Sequence, residues 1–505
     1  MSAQTRPERP PATALRDLAE WLRAQSCDVT ASGDLDTVVT GLTLSSQRSF
    51  PGDLYAALPG SQAHGMTFAA DALAAGAVAL LTDPAGAAGA PHGVPLLVVA
   101  EPRRLLGRLA AHVYGDPAAE MRMIGVTGTQ GKTTTTRLAE GALQGSGVRA
   151  GVIGTVGTRI AGEDVKTALT TPEAPDLHAL FAVMREREVT ACAMEVSSHA
   201  LVMGRVDGVV FDVAVFLNLG RDHLDFHTDE EDYYLAKASL FTPERARLAL
   251  VCVDDEHGRR LASETPLPVR TFSTGGLDAD WTVADVRPGP DGSTFRLLGP
   301  DVDVEAGVPL PGAFNVSNAL AAVASCGEAG LDPGSVAAAM AGGGGVPGRF
   351  ERIDAGQPFT VVVDYAHKPD AVRAALESLR PLTDGRLIVV LGAGGDRDPG
   401  KRPLMGDLAA RLADVVVVTD DNPRTEQPAA IRAAVLEGTR GGTAQVIEEG
   451  DRRAAIATAL DLAQRGDIVV VAGKGHETGQ EVDGVVHPFD DREVLRELLA
   501  TFPRA

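Results

Sequence analysis

Residues 123–134 read Met123-Ile124-Gly125-Val126-Thr127-Gly128-Thr129-Gln130-Gly131-Lys132-Thr133-Thr134. An apolar strand-like run (121–126) ends in a glycine- and threonine-rich turn that opens onto a helical pattern at 134–144. Strand, glycine turn and helix start, in that order, predict an α/β unit carrying a phosphate-binding loop. Glycines let successive backbone N–H groups face phosphate oxygens, and a helix N-terminus adds a favourable field. Lys132 would reach the β- and γ-phosphates, and the Thr133 hydroxyl would hold Mg²⁺. Val126 stands where the longer form of this loop has a further glycine, so this is the shortened G-T-x-G-K-T-T form. A bland glycine turn with an exposed lysine would need neither flanking element.

Working outward, the block 118–346 contains two further strand-like runs, 190–194 and 211–217. The first delivers Glu195-Val196-Ser197-Ser198-His199 to its carboxyl end, where ligands of parallel sheets bind. The second leads into Asp222-His223-Leu224-Asp225-Phe226-His227, two aspartates and two histidines in six residues. By themselves Glu195 reads as a strand-end acid, His223 as a cap or core histidine, and Lys237 as an ordinary helix lysine. The glycine run 342–345 before Pro347 marks a hinge.

The block 347–505 repeats one pattern: the buried-strand runs 360–363, 386–391, 414–419 and 467–472 alternate with helical stretches. This predicts a parallel, doubly wound sheet. Each run ends in a polar cluster: Asp364-Tyr365-Ala366-His367, 392–398 with Arg397, Asp420-Asp421-Asn422-Pro423-Arg424, and Gly473-Lys474-Gly475-His476-Glu477. In a parallel sheet all four share one edge, which favours a common binding site over four unrelated turns. The block 13–117 reads as a small α/β domain, and residues 1–12, polar and proline-rich, as a loose tail.

The chain has 505 residues and a formal net charge of −22. That charge argues against nucleic acid and anionic membranes as partners. Four scattered cysteines with no CxxC pair suggest neither a zinc site nor a disulfide framework, and fit a reducing cytosol. No apolar stretch approaches the ~20 residues that span a bilayer. A cytoplasmic protein is expected.

Taken together the motifs resemble the Mur ligases, over most of the chain from about Gly41 to about Leu498. Besides those quoted, Thr170-Thr171-Pro172, Phe314-Asn315-Val316-Ser317-Asn318 and Pro347-Gly348-Arg349-Phe350-Glu351 occur in the family's order. The resemblance is to the branch that adds the third amino acid to UDP-N-acetylmuramoyl-L-alanyl-D-glutamate. It implies an N-terminal α/β UDP-binding domain (13–117), a central P-loop ATPase domain (118–346) and a C-terminal Rossmann-like domain (347–505).

The resemblance also implies roles. Lys132, Glu195, His223 and Lys237 would be catalytic. Thr133, Glu195, His223 and a CO₂-derived carbamate on Lys237 would hold two Mg²⁺ ions. Gly128, Thr129, Gln130, Gly131, Lys132, Thr133, Thr134, Asn318, Arg349, Asp364 and His367 would bind ATP. Leu44, Ser46, Gln62, Thr170, Thr171, Ser197 and Arg205 would contact the UDP-muramoyl dipeptide. Arg397, Asp421, Asn422, Pro423, Arg424, Gly473 and Glu477 would take meso-diaminopimelate, since Asp-Asn-Pro-Arg accompanies the diaminopimelate enzymes of this family. Arg424 can grip the second carboxylate that L-lysine lacks. Two departures fall in the first domain: Ser45-Ser46-Gln47 stands for a frequent Asp-Ser-Arg, and His64-Gly65 for Asp-Gly. A monomer acting on small molecules is expected. Alternatives are an L-lysine-adding homologue, a folylpolyglutamate synthetase-like ligase, and a non-enzymatic ATP-gated binding protein.

Overall fold

The computed structural model describes residues 5–224, 226–289 and 291–501. Asp225 of the histidine-rich motif and residues 1–4 of the expected tail lie outside them. The chain forms α/β layers around an 11-stranded, a six-stranded and a five-stranded sheet.

In the central sheet the strand Arg122–Thr127 lies between Ala191–Glu195 and Val213–Phe216, parallel to both. Ala150–Gly154, Ala249–Cys252 and Val269–Ser273 continue the parallel part. Antiparallel strands close both ends. The phosphate loop, Glu195 and the loop 218–224 therefore converge on one edge.

In the C-terminal sheet Thr360–Asp364, Ile468–Ala472, Leu387–Leu391, Val415–Val418 and Gln445–Glu448 are neighbours in that order and all parallel. Runs of β-branched residues suit strands buried on both faces. Alternate side chains divide accordingly: Val389 and Val416 pack with the helices Pro369–Leu379, Lys401–Leu412 and Pro428–Thr439. Val390 and Val417 pack with Arg452–Leu462 and Asp491–Ala500. The sheet is doubly wound as expected. The polar, half-exposed strand Gln445–Glu448 and the hairpin Gly479–Val482/Val485–Pro488 are additions to the sequence reading.

One expectation is corrected. Residues 5–12 are not loose. Thr5 is buried, and Arg6 donates to Leu42 O (3.1 Å), Asp53 Oδ2 (3.2 Å) and the Tyr114 hydroxyl. The backbone N–H groups of Glu8 and Arg9 donate to the Glu186 carboxylate at 2.8 and 2.7 Å. A polar composition hides this, because the segment is held by hydrogen bonds rather than by burying apolar surface. Leu42 and Asp53 belong to the five-stranded sheet's parallel pair Gly41–Thr43/Asp53–Ala57, and Glu186 ends the helix Ala174–Glu186, so the segment ties the five-stranded sheet to the central block.

Candidate functional site

The helix Lys132–Gly145 starts at Gly131, whose left-handed φ of 86° turns the loop onto the helix axis. A side chain there would also meet Asn318 Oδ1 at 2.4 Å, so glycine lets Asn318 lie against the loop. Lys132 Nζ donates to Gly128 O (2.6 Å) and Thr129 O (3.1 Å). Lys237, on the helix Glu230–Ala238 and almost wholly buried, donates to the same Gly128 O at 2.9 Å and sits 4.5 Å from the Tyr233 ring centroid. Burial pulls the Lys132 ammonium down to about 8. Burial, then the Lys132 charge, pulls Lys237 well below the usual lysine range. Lys237 is far from the solvated helix lysine that its local sequence suggests.

Glu195 is buried at its strand's end. Its carboxylate accepts from Thr155 N (2.7 Å) and Thr155 Oγ1 (3.1 Å). His223 lies 3.1 Å from the Asp222 carboxylate and has a left-handed φ of 53°. Burial draws its imidazole down to about 4, so the ring is neutral at pH 7, the form that ligates metals. Among the described residues no three His, Cys, Asp or Glu side chains form a metal cage.

The C-terminal domain reaches into this cleft. Arg349 donates to Thr133 Oγ1 (3.3 Å) and stacks 4.3 Å from the Tyr365 ring. Lys368 pairs with Asp222. Asp364 accepts from the backbone N–H groups of Phe350 and Ala366 at 3.0 Å each, so it shapes the loop. His367 Nδ1 lies 2.7 Å from Tyr365 O, and burial draws the ring down to about 3. Asn218 was missed by the sequence reading: its Oδ1 accepts from the loop amides of Thr129 (3.1 Å) and Gln130 (2.9 Å).

Of the expected dipeptide contacts, four cluster beside Glu195. Thr170 Oγ1 lies 3.1 Å from Thr155 Oγ1, and Thr171 Oγ1 donates to Glu195 O (2.9 Å). Ser197 caps the helix Ser198–Val202. Arg205 pairs with Glu173 at 2.7 Å. Leu44, Ser46 and Gln62 lie apart on the first domain, Ser46 opening a short 3₁₀ turn and Gln62 exposed. His64 is explained locally: it accepts from Met66 N and sits 3.1 Å from Asp83.

At the shared edge of the C-terminal sheet Asn422 is enclosed. Its Oδ1 accepts from Lys474 Nζ and Glu481 N, both 3.0 Å, and its Nδ2 donates to Glu477 at 2.8 Å. Arg424 adopts a left-handed φ of 54°, its guanidinium donates to Gly395 O, and its Nε lies 3.4 Å from Glu481. Arg397 and Asp396 are exposed nearby. Arg452, also missed from sequence, is fully buried with Asp491 at 2.7 and 2.8 Å, and it donates to Asp420 O (3.3 Å) and Ala472 O (3.0 Å). It ties two of the four loops together. Its signal in sequence is nil, since Asp491 lies 39 residues away.

Family comparison matches three successive segments: "Mur ligase family, catalytic domain" at 38–114, "Mur ligase middle domain" at 126–326, and "Mur ligase, glutamate ligase domain" at 348–475. The UDP-N-acetylmuramoyl-L-alanyl-D-glutamate–2,6-diaminopimelate ligase of Streptomyces coelicolor is 54% identical over 503 residues, covering 98% of each chain. The chain belongs to the Mur ligase family. Another Mur ligase relative, the UDP-N-acetylmuramyl-tripeptide synthetase of Leifsonia xyli, is 46% identical and covers 97% of this chain and 96% of its own. A solved UDP-N-acetylmuramoyl-L-alanyl-D-glutamate–2,6-diaminopimelate ligase superposes with TM-score 0.69 at 34% identity, covering 97% of this chain and 99% of its own. A folylpolyglutamate synthase from Mycobacterium tuberculosis shares the fold at 20% identity, TM-score 0.61, covering 79% of this Mur ligase and 95% of its own chain. No helix among the described residues is long and apolar enough to cross a membrane.

Proposed function

We propose that this chain is the ADP-forming ligase that joins meso-2,6-diaminopimelate to the D-glutamate of UDP-N-acetylmuramoyl-L-alanyl-D-glutamate, acting as a cytoplasmic monomer built of the three domains 13–117, 118–346 and 347–505. The observation that carries the acceptor is Arg424 on the shared edge with Asn422 and Glu477; the relatives' names support it.

The reaction brings two anions together, so cations must offset their repulsion. Lys132, with the loop amides, holds the ATP phosphates, while Asn318, Arg349, Asp364 and His367 shape the nucleotide's surroundings. Mg²⁺ at Thr133, Glu195 and His223 would neutralise phosphate charge. The residues fit a carbamate at Lys237 too: burial disfavours its charged form and so favours the neutral amine, the form that adds CO₂. The free carboxylate of D-glutamate, steered by Thr170, Thr171, Ser197 and Arg205, attacks the γ-phosphorus and ADP leaves. The amine of diaminopimelate then attacks the acyl phosphate and phosphate departs. The domain contacts at Arg349–Thr133 and Lys368–Asp222 close the cleft and exclude water from that acyl phosphate.

Arg424 takes the distal carboxylate. L-Lysine has no second carboxylate to offer Arg424, which would keep only Glu481 and Gly395 O as partners, a difference of about 1–3 kcal/mol in favour of diaminopimelate. The test is phosphate release with UDP-muramoyl dipeptide and either amino acid. Release that requires both substrates and strongly favours diaminopimelate is expected. Equal use of L-lysine refutes the specificity, and ATP hydrolysis indifferent to both substrates refutes the ligase.

A further inference from the structure

Lys474 carries no role in the assignments above, yet it is fully buried, where an unpaired ammonium is costly. It follows the strand Ile468–Ala472 and lies between Gly473 and Gly475, both with left-handed φ, 116° and 54°. A side chain on Gly473 would meet Asp421 Oδ2 at 2.4 Å, and one on Gly475 would meet Tyr365 Cβ at 2.8 Å. The loop is wedged between the Asp421 and Tyr365 loops, so Lys474 starts from a fixed place. Its Nζ donates to Asn422 Oδ1 at 3.0 Å and to Glu477 Oε2 at 3.3 Å. A methionine would fill the same space without burying a charge, so packing alone gives no reason for a lysine here.

The donor and acceptor roles in this cluster cannot be reversed. Lysine only donates and a carboxylate only accepts. Lys474 Nζ and the Glu481 backbone N–H, both at 3.0 Å, require the oxygen of Asn422, while Glu477 Oε2 at 2.8 Å requires its nitrogen. Asn422 Oδ1 is thus occupied twice, and one Nδ2 proton goes to Glu477. The other proton has no acceptor among the described hydrogen bonds, so toward a ligand Asn422 acts as a donor. Glu477, partly exposed, also takes the Tyr365 hydroxyl and acts as an acceptor. Arg424 and Arg452 pair with Glu481 and Asp491, so among the described ion pairs Lys474 is the partner of Glu477. With Glu477 offset in this way, a ligand carboxylate can approach Asn422 and Arg424 with less repulsion from the neighbouring acid.

We propose that Lys474 is a positioning residue for acceptor choice. It locks Asn422 as a hydrogen-bond donor and offsets the charge of Glu477. The edge then presents a carboxylate subsite at Asn422 and Arg424 beside an ammonium subsite at Glu477. The inference rests on the diaminopimelate reading above. Lys474 does not touch the amino acid; it acts through two side chains that this reading places against it. Its effect falls on the carboxylate that L-lysine lacks.

The test compares wild type, Lys474→Met, Asn422→Ala and the double variant in the full chain, using diaminopimelate and L-lysine at saturating ATP and UDP-muramoyl dipeptide. Lys474→Met is expected to raise the KM for diaminopimelate about 10- to 100-fold, with kcat at saturation nearly kept and the KM for ATP unmoved. Use of L-lysine should change less than about threefold, so the preference for diaminopimelate falls. A loosened fold would instead worsen both amino acids alike. The double variant should fall well short of the product of the two single effects, because Lys474 acts through Asn422. If Lys474→Met fails to fold, Lys474→Gln, which keeps a donor for Asn422 but no charge, should lower the same preference at least about threefold. An unchanged preference in either variant, an equal loss for L-lysine or ATP, or single effects that multiply fully overturns the proposal. Failure of the reading it rests on shows separately, as wild-type enzyme that makes no amide or has no preference for diaminopimelate.

Discussion

The phosphate-loop cleft and the C-terminal edge around Asn422 and Arg424 treat charge in opposite ways. In the cleft, Lys132 and Lys237 give their hydrogen bonds to backbone carbonyls, and both share Gly128 O. At the edge nearly every cation already has a carboxylate: Arg424 with Glu481, Lys474 with Glu477, Arg452 with Asp491, and Arg402 with Glu426. The first region is built to gain negative charge from a ligand. The second is charge-balanced when empty, which suits a zwitterion that brings a carboxylate and an ammonium together. A net change in charge at one region and an exchange of partners at the other follow from that difference.

The largest expected effect comes from unbalancing the edge. Asp491→Ala would strand Arg452 in a fully buried place and should cost about 3–5 kcal/mol of stability, read from the denaturant midpoint. It should also loosen the loops at Asp420 and Ala472, raising the KM for diaminopimelate. A loss below 1 kcal/mol would mean that the edge is not held by that pair. Next, Arg424→Lys keeps the charge but loses the planar fork. The KM for diaminopimelate should rise about 5- to 150-fold, equivalent to about 1–3 kcal/mol, with the KM for ATP unmoved. An equal rise for ATP would dissolve the distinction between the two regions.

The smallest effect concerns the cleft. In the empty enzyme the Lys132 ammonium is lost as pH rises through about 8. Its folded pKa lies below the unfolded one, so the unfolded chain binds more protons between about 8 and 10.5, and stability rises with pH across that window. Nucleotide binding should move the other way, weakening by up to about tenfold per pH unit above 8. Titrating ADP binding against pH checks this; Lys132→Met should show no such inflection.

Local sequence was enough wherever chemistry and secondary structure coincide along the chain. The strand, glycine turn and helix around 121–144 could be read because glycine and lysine placement there is dictated by phosphate geometry. The parallel C-terminal sheet could be read because strands buried on both faces must be continuous apolar runs, as Val415–Val418 is. The strand Gln445–Glu448 escaped for the same reason: at the sheet's edge it has no need of such a run. Arg452, Asn218 and the docked Arg6 escaped because their partners lie tens of residues away.

What the sequence determined by itself is the order of the elements and the residue types at each strand's carboxyl end, since periodicity and turn chemistry are local. Tertiary structure alone decided which charges face one another. It turned Lys237 from a helix lysine into a buried amine against Gly128 O, enclosed Asn422 between Lys474 and Glu477, and brought Lys368 across to Asp222. Electrostatics depends on distance and burial in space, and neither is written in the spacing of residues along the chain.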